Sequence, residues 1–191
     1  MSGTTERPRR RLSRRRAVAL GAAVVVFVTA VTVVSVLTGA PETNGFAPTS
    51  SLVGTHVRAF SASGLNGGSV VAPWRSGHPA VLIFFASYCG PCQHEMPAVA
   101  RFLRAHATSP VRVVAVDALD ERAAAAAMTG RDGVTFPVVF DPNGTITTGE
   151  FGFDTVPESV FVNAKGVVTD VYYGAIPPAT LAKGIAKLRA A

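Results

Sequence analysis

Cys89 and Cys92 are the only cysteines in the 191-residue chain, and they stand as Cys89-Gly90-Pro91-Cys92 directly after the apolar run Ala80–Phe85. A strand that hands such a pair to the start of a helix places the first sulfur where free N–H groups and the helix dipole favour a thiolate. That setting lowers a thiol pKa from about 8.5 to roughly 3.5–7.5 and makes the sulfur a nucleophile. The second cysteine, one turn on, attacks the resulting mixed disulfide, so the pair reads as a dithiol–disulfide exchange site. Metal capture fits less well. Structural zinc takes four Cys or His ligands, whereas His56, His78, His94 and His106 are scattered and only His94 is near the pair. A structural disulfide would more often close a longer loop, where the gain in chain entropy is larger.

The elements that must position this pair alternate along the chain. His56–Phe60 and Ser69–Ala72, separated by Gly64, Asn66, Gly67 and Gly68, predict a hairpin. The unbroken apolar character of Ala80–Phe85 predicts a fully buried strand. Pro91 to about Ala107 predicts a helix with Met96, Val99, Phe102 and Leu103 on one face and a kink at Pro97. Val111–Val116 reads as a second buried strand, Asp120–Met128 as a helix begun by Asp120, and Val138–Phe140 as a short strand. A turn at Asp141-Pro142-Asn143-Gly144 leads to a short helix toward Phe151. Glu158–Asn163 and Val167–Tyr173 form a hairpin across Ala164-Lys165-Gly166, and Pro177–Arg189 closes the chain as an amphipathic helix. The fold class is α/β: a three-layer arrangement with a mixed central sheet, helices on both faces and an N-terminal β-hairpin.

Charge excludes one class of partner. The net charge of +6 resides in residues 1–16, where seven arginines face Glu6, while the rest of the chain balances at eleven charges of each sign. A nucleic-acid binder spreads basic charge over a folded face, so no nucleic acid is expected. The arginines instead precede residues 17–37, which carry no charge and would make a helix of roughly 31 Å, about a bilayer's hydrocarbon thickness. Residues 1–16 are therefore expected as a cytoplasmic basic tail and 17–37 as a transmembrane anchor or uncleaved signal. Residues 38–51 read as a linker and 52–191 as one domain on the extracytoplasmic side, or as a secreted form if cleavage falls near Ala40. Disulfide chemistry persists in that compartment.

The stretch from Ala80 through Cys89-Gly90-Pro91-Cys92 to Glu95 and Pro97 resembles the thioredoxin superfamily, and more narrowly the membrane-anchored disulfide reductases of the TlpA/ResA/DsbE kind. Thr155-Val156-Pro157-Glu158 resembles the family's cis-proline loop, and the likeness covers about residues 52–189. The resemblance implies a thioredoxin-like domain in which Cys89 attacks, Cys92 resolves, Glu95 exchanges protons with the thiols and Pro157 shapes the site. It places substrate beside Tyr88, Gly90, Pro91, Val156 and Glu158. No cofactor is expected beyond the redox-active disulfide Cys89–Cys92, and no metal. Implied partners are protein thiols and disulfides, such as apocytochrome c haem-site thiols, and a membrane thiol electron donor, with the protein a monomer. A disulfide-forming oxidase and a copper-binding chaperone are the alternatives. Three departures stand out: Ile83 occupies the position of the buried Asp of cytoplasmic thioredoxins, Tyr88 that of a tryptophan, and Arg58 that of a frequent proline.

Overall fold

A computed structural model of the chain describes residues 50–190, so the expected basic tail, the anchor and most of the linker lie outside the described residues. No helix among the described residues is long and apolar enough to cross a membrane. In chain order the elements are β1 (Ser61–Ser63), β2 (Ser69–Val71), β3 (Ala80–Phe85), α1 (Gly90–Ala105), β4 (Arg112–Ala118), α2 (Arg122–Arg131), β5 (Val138–Asp141), β6 (Glu158–Val162), β7 (Val168–Tyr173) and α3 (Pro178–Ala190). A 3₁₀ helix, Pro73–Ser76, precedes β3.

The run Ala80–Phe85 has no exposed residue because it is the centre of a five-stranded sheet of order β5-β4-β3-β6-β7. β3 pairs parallel with β4 and antiparallel with β6, which makes the sheet mixed as expected. Burial on both faces and pairing on both edges is what an all-apolar strand reports. β1 and β2 form a separate two-stranded hairpin, tied to the β5 edge by the Leu65 N–H donating to the Val138 carbonyl at 2.8 Å.

Alternation along the strands divides the core in two. Val81, Ile83 and Phe85 pack with Val99, Met96, Met128, Leu181 and Leu188, so α1, α2 and α3 share this face. Leu82, Phe84, Val114 and Val160 point the other way, onto Trp74 of the 3₁₀ helix and onto Ile146, Phe151 and Phe153. Helical cover is thus uneven among the described residues. Three α-helices lie on one face, and a 3₁₀ turn with coiled loops covers the other.

Three local expectations are corrected. The first hairpin strand is Ser61–Ser63 rather than His56–Phe60, because residues 54–57 bond to the β7 side instead: Gly54 N–H reaches Val168 O at 2.8 Å and Val57 N–H reaches Gly166 O at 2.9 Å. The second helix starts at Arg122 rather than Asp120, whose carboxylate is taken by Ser87 and by the Glu121 N–H. The stretch toward Phe151 forms successive turns, such as Thr148 N–H to Gly144 O at 2.9 Å, and no helix. α1 continues through Pro97 without interruption.

Gly184 shows how closely α3 approaches the sheet: a Cβ there would lie 2.2 Å from Phe161 Cε1. Alanine favours a helix interior by about 1 kcal/mol over glycine, but overpacking a filled core costs about 1–3 kcal/mol. Phe161 is fully buried and has no room to yield, so the clash wins. Gly184→Ala is expected to destabilise the domain by about 1–3 kcal/mol, read as a lower urea midpoint; an unchanged or higher midpoint would show that the helix shifts freely.

Candidate active site

β3 ends at Phe85, and four residues later the chain turns into α1 with Cys89 as its N-cap. Ser, Thr, Asp and Asn usually fill that role by accepting a first-turn N–H; here Cys89 Sγ accepts from the Cys92 N–H at 3.2 Å. Pro91 falls in the first turn, where its missing N–H leaves nothing unpaired. The two sulfurs form a disulfide, with Cys89 8% exposed and Cys92 fully buried. Only Cys89 is therefore open to attack from outside.

The Val156–Pro157 peptide bond is cis, and Val156 O lies 3.5 Å from Cys89 Sγ. The disulfide carries no S–H, so this contact becomes a hydrogen bond only once Cys89 is a thiol. The turn before the disulfide is held from both sides. Ser87 donates its N–H and its hydroxyl to Asp120, the latter at 3.0 Å, and its carbonyl accepts Gln93 Nε2 at 2.7 Å.

A groove of about 300 Å³ opens over Cys89, lined by Tyr88, Pro91, Leu119, Phe153, Thr155 and Val156 among others. Tyr88 and Leu119 are largely exposed apolar side chains at its rim. A larger cavity of about 660 Å³, walled by Phe102, Arg112, Phe136 and Arg189, contains neither sulfur nor any expected site residue. The chemistry assigns the site to the smaller one.

A nucleophilic N-cap sulfur, a buried partner one turn on and a cis-proline carbonyl beside them form a dithiol site. The Redoxin family model matches residues 47–186 of the chain. The chain belongs to the Redoxin family. It is 27% identical over 115 residues to the thiol-disulfide oxidoreductase ResA of Halalkalibacterium halodurans, covering 60% of this chain and 65% of that protein. It is 29% identical over 101 residues to the sporulation thiol-disulfide oxidoreductase A of Bacillus subtilis, covering 51% and 61%. The chain thus spans just under two thirds of these relatives. The solved structure of MTB DsbF, in mixed oxidized and reduced forms, superimposes with a TM-score of 0.61 at 32% identity, over 68% of this chain and 94% of that one. The fold is thioredoxin-like.

Within this Redoxin domain the expected residues separate into a surface set and a buried set. Tyr88, Cys89, Pro91 and Val156 line the groove, while Gly90 does not. Glu158 is 5% exposed and does not line the groove; Thr155, which does, donates its Oγ1 hydroxyl to Glu158 Oε1 at 3.0 Å. Burial pushes its pKa up to about 7, opposed by the Thr155 bond and aided by the charge of Asp154. Glu95 is 4% exposed, one turn beyond Cys92. Its Oε1 accepts the Ile176 N–H at 2.8 Å, and its Oε2 has no partner among the described residues. Burial raises its pKa to about 7, against the Ile176 bond. His94 is exposed.

Sequence reasoning missed Leu119 and Phe153 of the groove, Ile176 as the anchor of Glu95, and Asp117, which is fully buried at the end of β4. Asp117 carried a signal, since an acid interrupts an otherwise apolar strand. Leu119, Phe153 and Ile176 reach the site through loops that no local pattern places there.

A carboxyl whose folded pKa lies above its unfolded value contributes stability that is present below the unfolded value and lost as pH rises through the folded one. For Glu95 the window runs from about 4.5 to about 7. Glu95→Gln keeps an acceptor for Ile176 and cannot ionise. Its stability relative to the parent is expected to increase across that window, and its reduced cysteines to titrate lower because a nearby negative charge is gone. Equal urea midpoints at pH 4.5 and 7.5 for both proteins, with unmoved thiol titrations, would refute this.

Proposed function

We propose that this protein is a thiol–disulfide oxidoreductase that works outside the cytoplasm as a reductant of selected protein disulfides. The observation that carries the reading is the Cys89 sulfur at the α1 N-terminus, accepting the Cys92 N–H beside the Val156 carbonyl and open to the groove. Names of the relatives support the reaction class: two are called thiol-disulfide oxidoreductases.

In the reducing direction, Cys89 thiolate attacks a substrate S–S bond, and one substrate sulfur leaves as a thiolate. Cys92 then loses its proton, attacks Cys89 Sγ and releases the second substrate sulfur. The protein ends as its disulfide, the substrate as a dithiol. Direction follows from which state of the site is the more stable. A strongly stabilised thiolate makes an oxidant. The helix N-terminus favours thiolate, but the buried carboxyl of Glu95 opposes it whenever ionised, so the reduced form is less favoured and the protein is the stronger reductant.

The remaining parts of the proposal rest on the sequence. Residues 17–37 anchor the chain with the domain outside, a membrane thiol donor reduces Cys89–Cys92, and haem-site cysteines of apocytochrome c are substrates. The protein acts as a monomer.

Two measurements test the exchange reading. Cys89→Ser is expected to abolish disulfide reduction, while Cys92→Ser accumulates mixed disulfides with substrate; faster alkylation of Cys92 than Cys89 at neutral pH would reverse the roles. The reduction potential is expected near that of thioredoxin, about −270 mV, and a value near that of DsbA, about −120 mV, would make the protein an oxidase.

A further inference from the structure

Asp117 has no part in the exchange steps above, yet it sits on the sulfur side of the sheet. It pairs in register with Phe85 of β3 and with Phe140 of β5, so the three side chains share a face. Phe85 belongs to the cluster that contains Cys89, Cys92 and Met96, and Phe140 packs against that cluster. Asp117 is fully buried; among the described residues no N–H or hydroxyl donates to its oxygens, and it faces another carboxyl, that of Asp120. A carboxylate is disfavoured in such a place, and the group holds its proton to a higher pH than an exposed acid does.

The surroundings tie this acid to the sulfurs. Just before α2 stands Asp120, which grips Ser87 two residues before Cys89, and at its first residue Arg122, which stacks over Phe140 at 4.0 Å and donates to Gly64 O at 2.9 Å. Asp141 closes β5, where its Oδ2 accepts Thr147 N–H and hydroxyl, both at 2.8 Å. α1 presents Cys89 and Cys92. Burial is the first cause that pushes the Asp117 pKa up, to about 8; the charge of Asp120 and a hydrogen bond between the two carboxyls add to it, Arg122 opposes it and Asp141 adds again.

We propose that Asp117 is a redox-linked proton site, a carboxyl that holds its proton more tightly when Cys89–Cys92 is reduced than when it is a disulfide. The inference rests on the dithiol reading above and adds to it where one proton goes. The disulfide form is neutral at sulfur, whereas the reduced form places negative charge on Cys89. That charge lies on the same face as Asp117 and opposes its ionisation. Linkage is reciprocal: ionising Asp117 makes Cys89 harder to ionise by the same factor.

The balance closes within the pH window between the two Asp117 midpoints. A donor dithiol gives two electrons and two protons, and its own sulfurs join. The Cys89–Cys92 bond breaks, one proton goes to Cys92 and the other to Asp117, leaving Cys89 as a thiolate. Net charge is unchanged, and no proton is released to solvent. Glu95 is a separate acid, bonded to Ile176. The central strand Ala80–Phe85 carries no carboxyl, and Asp117 supplies one from the neighbouring strand.

The test is a ¹³C NMR titration of the Asp117 carboxyl in the full-length protein, once as the disulfide and once reduced with excess dithiothreitol. Chemical reduction makes the result independent of the physiological substrate, so failure here differs from failure of the exchange reading. The midpoint is expected to rise by about half a pH unit or more on reduction. Equal midpoints in the two states overturn the proposal. Asp117→Asn gives a second readout: the Cys89 thiolate absorbance should lose its inflection near the Asp117 midpoint. A purely structural role would change the urea midpoint and leave that thiol titration unmoved, which also overturns the proposal. Should the variant fail to fold, the titration of the unaltered protein still decides.

Discussion

The hydrogen bond from the Cys92 N–H to Cys89 Sγ sets what the rest of the fold must provide. A helix start has four N–H groups without intrahelical partners, and a side chain that satisfies one is worth about 0.5–2 kcal/mol. Using a sulfur for that task ties the helix end to the redox state. When Cys89 becomes a thiolate the bond gains a charged acceptor, and charge-assisted bonds are roughly twice as strong as neutral ones. The strand before it must then be immobile. β3 meets this by being paired on both edges and buried on both faces, and the Asp120–Ser87–Gln93 bonds fix the short turn between strand and helix.

Against that stabilisation stand the buried acids. Glu95, Asp117 and Glu158 are each at most 5% exposed, and among the described residues each has at least one oxygen to which nothing donates. An unpaired buried charge costs far more than one hydrogen bond returns, so these groups are held toward their neutral forms near neutral pH. Every one that ionises adds negative charge to the region where a thiolate must form. The helix N-terminus and the acids therefore pull the sulfur pKa in opposite directions. Charge interactions fall off with distance and with dielectric, so acids enclosed in the domain act on the sulfurs with less screening than surface residues such as Glu121.

Much of the frame was legible because it depends on patterns that burial imposes directly. Ala80–Phe85 has six apolar residues in a row, and its predicted limits are those of β3. The closing hairpin and helix agree with β6, β7 and α3 to within two residues, since glycine and the apolar period mark their ends. The first hairpin was misplaced because His56–Phe60 looks as strand-like as Ser61–Ser63, and only the arrival of Val167 and Val168 decides between them. At the site, spacing alone exposed the cysteines. Burial of Glu95 depends on Ile176, 81 residues away, and no helical period reveals that.

The groove illustrates how one buried acid serves two structures. Leu119 adopts φ 52°, a left-handed conformation that costs a non-glycine residue roughly 1–2 kcal/mol. Its N–H is paid back by the Asp141 carbonyl at 3.0 Å, and its side chain extends over Gly144, where a Cβ would lie 3.2 Å from Leu119 Cδ2. The Asp141 carboxylate meanwhile fixes Ile146 and Thr147, and Thr147 lines the groove. Leu119 is thereby held exposed at the groove that Val156 also lines. The charge that orders this wall also bears on Asp117, because Asp141 ends the strand beside it. Groove shape and the proton equilibrium behind the sulfurs thus share one carboxylate, and a change at Asp141 cannot alter the first without moving the second.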